Sequence, residues 1–64
     1  MASEVYAIKV RLPGESKFYF LAGGGKLNGL KIHALRFYER ETAQTVIDSS
    51  AAANPGAEWK VVAL

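Results

Sequence analysis

The stretch AGGGKLNGLKIHA, residues 22–34, gathers the residue types most able to meet a ligand: three consecutive glycines, Lys26, Gly29, Lys31 and the chain's single histidine, His33. Glycine-rich backbone beside a lysine is the chemistry of a phosphate cradle, in which main-chain amides and an ammonium group meet phosphate oxygens. A Walker-type loop needs G-x-x-x-x-G-K followed by Ser or Thr, between a strand and a helix. Gly24 and Gly29 have the glycine spacing, but Leu30 and Lys31 follow, so the lysine–hydroxyl pair is missing. No G-x-G-x-x-G dinucleotide fingerprint is present, and the chain is too short for that fold. Helical periodicity begins well after the loop, so no helix N-terminus is aimed from it. Contact between Lys26 or the loop amides and a ligand stays open. The favoured reading is a corner, in which Gly23, Gly24 and Gly25 allow positive φ where a strand ends.

Other chemistry is sparse. His33 with Glu39 or Glu41 has the residue types of an acid–base pair, but nothing beside them supplies a nucleophile or an orienting group. Zinc takes several Cys, His or carboxylate ligands, and this chain has one histidine and no cysteine. The sequence therefore predicts no catalytic residue, no metal and no cofactor. The aromatic residues Tyr6, Phe18, Tyr19, Phe20 and Trp59 fall in strand-like segments, with Lys9, Arg11, Lys17 and Lys60 among them. Aromatics interleaved with cations on a sheet can stack on bases and meet phosphates. The competing reading is that most of these rings form the core, because so small a chain needs them there.

Three strands and one helix must position these residues. EVYAIKVRL alternates, with Tyr6, Ile8, Val10 and Leu12 on one side and Val5, Ala7, Lys9 and Arg11 on the other. PGES is a turn, and KFYFLA is a second strand that completes a hairpin. Phe18 and Phe20 point one way, Tyr19 and Leu21 the other. Ala43, Val46, Ile47, Ser50 and Ala51 follow the i, i+3, i+4, i+7, i+8 stripe of an amphipathic helix, placed at about 39–53. Tyr38 or Glu39 must serve as its N-cap, and Asn-Pro-Gly stops it. EWKVVAL is the last strand, and residues 30–33 allow a further extended stretch. The predicted fold is α+β in the order β-β-α-β: a small antiparallel sheet with one helix on one face, in a single domain spanning 1–64. The covered face is expected to hold Tyr6, Ile8, Val10, Phe18 and Phe20, under Phe37, Ala43, Val46 and Ile47.

Composition narrows the class. Of 64 residues, half are apolar and 22% are charged, which is globular and far from disorder. No apolar run reaches the ~18 residues of a membrane span, and MASEVYAIKV lacks the pattern of a signal peptide. With no cysteine, the expected location is the cytoplasm. The net charge of +2 is carried by cations spread along the chain rather than clustered, unlike a dedicated nucleic-acid binder. Under the expected facing, Val5, Ala7, Tyr19 and Leu21 lie on the uncovered face, and the last strand adds Trp59, Val61 and Ala63 or Val62 and Leu64. Contiguous exposed apolar surface marks an interface unless a loop such as 23–36 folds over it. A homodimer, sheet to sheet or edge to edge through the last strand, would use that surface.

The pattern Ala34-x-x-Phe37-x-x-x-Glu41-x-Ala43-x-x-Val46-Ile47, preceded by VYAIKV and KFYFLAGGGKL and followed by WKVVAL, resembles small ββαβ proteins of bacteriophages and prophages. The resemblance covers nearly the whole chain through a generic packing motif, and Glu39 departs from the Ser or Thr cap more common in such proteins. It implies a short accessory protein that binds a host protein and blocks it sterically. Some members of that group, including several anti-CRISPR proteins, inhibit bacterial defence systems in this way. The expected contact residues are Lys9, Arg11, Tyr19, Leu21, Lys26, Lys31 and Trp59. A small nucleic-acid-binding module and a self-associating structural subunit are the alternatives.

Overall fold

The computed structural model describes residues 4–64. Alternation over the first segment gives β1, Tyr6–Arg11. After the Pro13–Gly14 turn the chain returns as β2, Tyr19–Leu21, antiparallel to β1. A glycine corner then leads into a two-residue strand, β3, Leu27–Asn28, paired with β2. The helix α1 spans Arg40–Ala53, and β4, Glu58–Ala63, pairs antiparallel with β1 along its full length. The strand order is β3-β2-β1-β4. This is the predicted small α+β architecture, with β3 added. In place of the extended stretch that residues 30–33 allow, the chain makes a single 3-10 turn at Lys31–His33. Residues 34–37 then return to the sheet through bridges from Ala34 to Ala22 and from Phe37 to Tyr6.

Glu39 is the N-cap of α1, in extended conformation, with no side-chain capping hydrogen bond. Asn54 ends the helix: its amide nitrogen donates to Ser50 O and Ala51 O, and its Nδ2 donates to Ser50 O at 3.1 Å. Pro55 then prevents continuation. The stripe Ala43, Val46, Ile47 faces the sheet, where Ala43 and Ile47 join Ile8 and Leu21 in the core. Phe37, Val46, Trp59 and Val61 pack around that cluster.

The facing of β2 differs from the expectation. Val10 stands opposite Tyr19, and Lys9 opposite Phe20. Directly opposed residues share a face, so Tyr19 and Leu21 join Ile8 and Val10 under the helix while Phe18 and Phe20 lie on the open side. Leu21 is accordingly buried, and Phe20 is only half-buried. The register of β4 resolves its own ambiguity in the same way. Ile8 opposes Val61 and Val10 opposes Trp59, so Trp59, Val61 and Ala63 are on the helix side.

The glycine corner is conformational. Gly24 and Gly25 have φ of 74° and 75°, and a Cβ at either position would meet nothing within 4 Å. The requirement is for left-handed backbone, not for space. The Ala22 amide donates to Lys26 O at 2.7 Å across this corner, which satisfies the first amide of the loop internally.

Candidate binding face

The open face is built in cross-strand rows. One row reads Phe20–Lys9–Lys60, from the pairings of Lys9 with Phe20 and with Lys60. Beside it, Arg11 stands opposite Glu58, with the Phe18 ring against the guanidinium. Each cation meets a ring: Lys9 Nζ lies 5.6 Å from the centroid of Phe20, Arg11 Cζ 5.3 Å from that of Phe18, and Lys60 Nζ 5.1 Å from that of Phe18. These are cation–π distances. Lys31 completes the set by lining a shallow groove of about 170 Å³ with Lys9, Phe20, Val62 and Leu64. Ala7 belongs to this face by register yet is fully buried, so the face is closed at that end and open around Phe18 and Phe20.

One acidic group enters the array. Glu58 accepts from the Arg11 guanidinium and lies 3.4 Å from Lys60 Nζ. Partial desolvation pushes the Glu58 carboxyl up, but the Arg11 charge and hydrogen bond, with help from Lys60, outweigh this and hold it below its usual range. Lys9 and Lys31 are without a carboxylate partner in the salt bridges among the described residues. Lys9 and Lys60 oppose one another directly across β1 and β4, an arrangement that like charges disfavour.

The expected contact residues therefore separate into two groups. Lys9, Arg11 and Lys31 come together on or beside the open face. Tyr19, Leu21 and Trp59 do not join them, because the register turns all three toward the helix. Leu21 is core; Trp59 packs on that core; Tyr19 is half-buried, with its hydroxyl donating to Glu15 at 3.4 Å and Lys17 over its ring. Lys26 is exposed beyond the glycine corner and shares no groove with the open-face cations. The residues missing from the expected set are Phe18, Phe20 and Lys60. Their signal was present: an even-numbered turn between two alternating strands swaps which parity of the second strand faces the core.

His33 lies exposed in the 3-10 turn, its amide donating to Leu30 O. Among the described residues no three His, Cys, Asp or Glu side chains gather where they would hold a metal ion. No helix among them is long and apolar enough to cross a membrane. A second surface feature is apolar: Ile32 and Leu30 are 72% and 60% exposed, and Ile32 lines a groove with Val5, Leu64, Lys31 and Arg36. Comparison of the chain with protein-family models, with curated proteins and with solved structures gives no match.

Proposed function

We propose that this chain is a non-enzymatic binding module whose open sheet face takes single-stranded nucleic acid in the cytoplasm. The observation that carries the reading is the pair of opposed lysines, Lys9 and Lys60, each resting on a phenylalanine ring. Two like charges on adjacent strands weaken a sheet, and such violations of local preference concentrate where function requires them. A phosphate backbone relieves the repulsion. As the lysine heads swing to phosphate oxygens, the rings of Phe18 and Phe20 are freed to stack on bases, about 7 Å apart along the strand. Arg11, held by Glu58, stays as a fixed donor, and Lys31 extends the positive track.

The test is fluorescence anisotropy of a labelled oligothymidylate against salt. Four cations on phosphates predict a log–log slope of about −3, at roughly −0.7 per contact on a single strand. Lys9→Ala should reduce the slope by about one contact, and Phe20→Ala should weaken binding about tenfold or more while leaving the slope unchanged. Absence of binding at low salt, or a slope near zero, rejects the proposal.

A second reading is favoured by the exposed apolar residues Leu30, Ile32 and Tyr38. Under it the chain is a phage or prophage accessory protein that blocks a host protein, such as a component of a defence system, through the segment 30–38. Nuclease-treated pull-downs separate the two. A captured protein lost with Ile32→Asp but kept with Lys9→Ala supports the second reading; capture that needs nucleic acid supports the first.

A further inference from the structure

The strand order leaves β4 with one paired side and one outer side. Which backbone groups point outward follows from hydrogen bonds at the sheet end. Tyr6 exchanges bonds with Phe37, its N–H donating at 2.7 Å and its carbonyl accepting at 2.9 Å, so the even-numbered residues of β1 face away from β4. Leu64 N–H donates to Val5 O at 2.7 Å, so the odd-numbered residues of β1 face β4 and are met by its even-numbered ones. Trp59, Val61 and Ala63 therefore direct their N–H and C=O groups outward. β4 is six residues long and carries no proline, and α1 packs on its face rather than along its edge. The usual devices that blunt an edge are absent from it apart from the charges of Glu58 and Lys60, and these are held onto Arg11, Phe18 and one another.

We infer that this edge pairs with β4 of a second copy, antiparallel, about a two-fold axis at Val61. Only this register uses every outward group. Val61 meets its own copy, and Trp59 meets Ala63 of the second copy, each pair exchanging two hydrogen bonds. On the helix side the largest side chain of the strand stands opposite the smallest, with a β-branched pair between them. On the open side Lys60 stands opposite Val62 and Glu58 opposite Leu64, so no like charges meet. A register centred on Lys60 would oppose two lysines and set Ala63 against Ala57, whose N–H is already given to Asn54 O. One centred on Trp59 would crowd two indoles and leave Ala63 unpaired. The two-fold axis is normal to the sheet, so both helices lie on one side and both open faces join into one surface. This inference holds whatever that surface binds.

The chain contains no cysteine, so introduced thiols report pairing cleanly. Lys60→Cys and Val62→Cys proteins are mixed and oxidised mildly. Opposed residues at a position not exchanging outward hydrogen bonds lie about 4.5 Å apart at Cα, within disulfide range, whereas 60 to 60 and 62 to 62 lie diagonally at about 7–8 Å. The mixture should give a 60–62 cross-linked dimer in several-fold excess over either protein alone. Ala63→Pro removes an outward N–H at an exposed residue without touching the β1 ladder. It should raise the dimer dissociation constant at least about tenfold in sedimentation equilibrium, with an unchanged far-UV spectrum. A wild-type chain that stays monomeric to about 1 mM, or equal cross-linking in all three samples, overturns the inference.

Discussion

Replacing Leu21 and Phe20 separately by alanine tests the register on which the open face depends. The two residues are adjacent, and the pairing of Lys9 with Phe20 sends them to opposite sides of the sheet. Leu21 is 7% exposed and belongs to the cluster with Ile8, Ala43 and Ile47. Truncating such a side chain costs about 3 kcal/mol, from lost transfer energy and the cavity left behind. A domain of this size has about 3–5 kcal/mol in total, so Leu21→Ala should be near the edge of folding. Phe20 is half-buried under Lys9, and its loss removes part of a ring's burial and one cation–π contact, about 1–1.5 kcal/mol. The assay is urea unfolding followed by the fluorescence of Trp59, the single tryptophan, which packs on the core. With an m-value of about 1 kcal/mol/M, the midpoint should fall by roughly 3 M for Leu21→Ala and by roughly 1 M for Phe20→Ala. The reverse order would mean that the register is off by one residue and that Phe18 and Phe20 are core, and the proposed face would fall with it.

Other perturbations probe separate parts of the argument. Gly56 has φ of 96°, and a Cβ there would lie 3.3 Å from Pro13 Cγ; Gly56→Ala should lower stability by about 1–2 kcal/mol in the same titration, and no loss would show that this position does not need glycine. Ala43 is fully buried between helix and sheet, so Ala43→Leu should cost about 1–3 kcal/mol by overpacking, while Ala52→Leu on the exposed side should be nearly neutral. Glu58 has a carboxyl held below its usual range, so its contribution is present above the ordinary carboxylate pKa and is lost as pH falls through the folded value. The thermal midpoint of Glu58→Gln should therefore lie slightly below wild type at pH 7, with the gap closing in acid; a gap independent of pH would show that the carboxylate charge is not involved.

Much of the molecule was legible in the chain. The helix expected at 39–53 is found at Arg40–Ala53, because its apolar stripe and its Asn-Pro-Gly stop are local signals. The alternation of β1 is likewise local and set its two faces correctly. The triple glycine signals a backbone corner, which Gly24 and Gly25 form with positive φ while Gly23 does not. The facing of β2 is also legible in the chain. Extending the observed register toward the turn places Leu12 opposite Lys17, with the four residues Pro13–Ser16 between them. An even-numbered connection reverses parity, so Tyr19 and Leu21 share a face with Val10, and the two phenylalanines go outward.

The place of β4 was different in kind. Within EWKVVAL the set Trp59, Val61 and Ala63 is wholly apolar while Glu58 and Lys60 share the other set with Val62 and Leu64, but which strand it joins, and in what register, is not written there. That choice was made by pairing with β1, about fifty residues earlier in the chain, where Val10 meets Trp59 and Ile8 meets Val61. The same pairing brought Lys60 opposite Lys9 and Glu58 opposite Arg11, and so assembled the charged face from residues with no local relation to one another. Sequence determined the elements and their amphipathic faces because those depend on neighbours within a turn or two. Only the tertiary structure decided which cations and rings share a surface, because strand register is a long-range choice fixed by packing across the whole sheet.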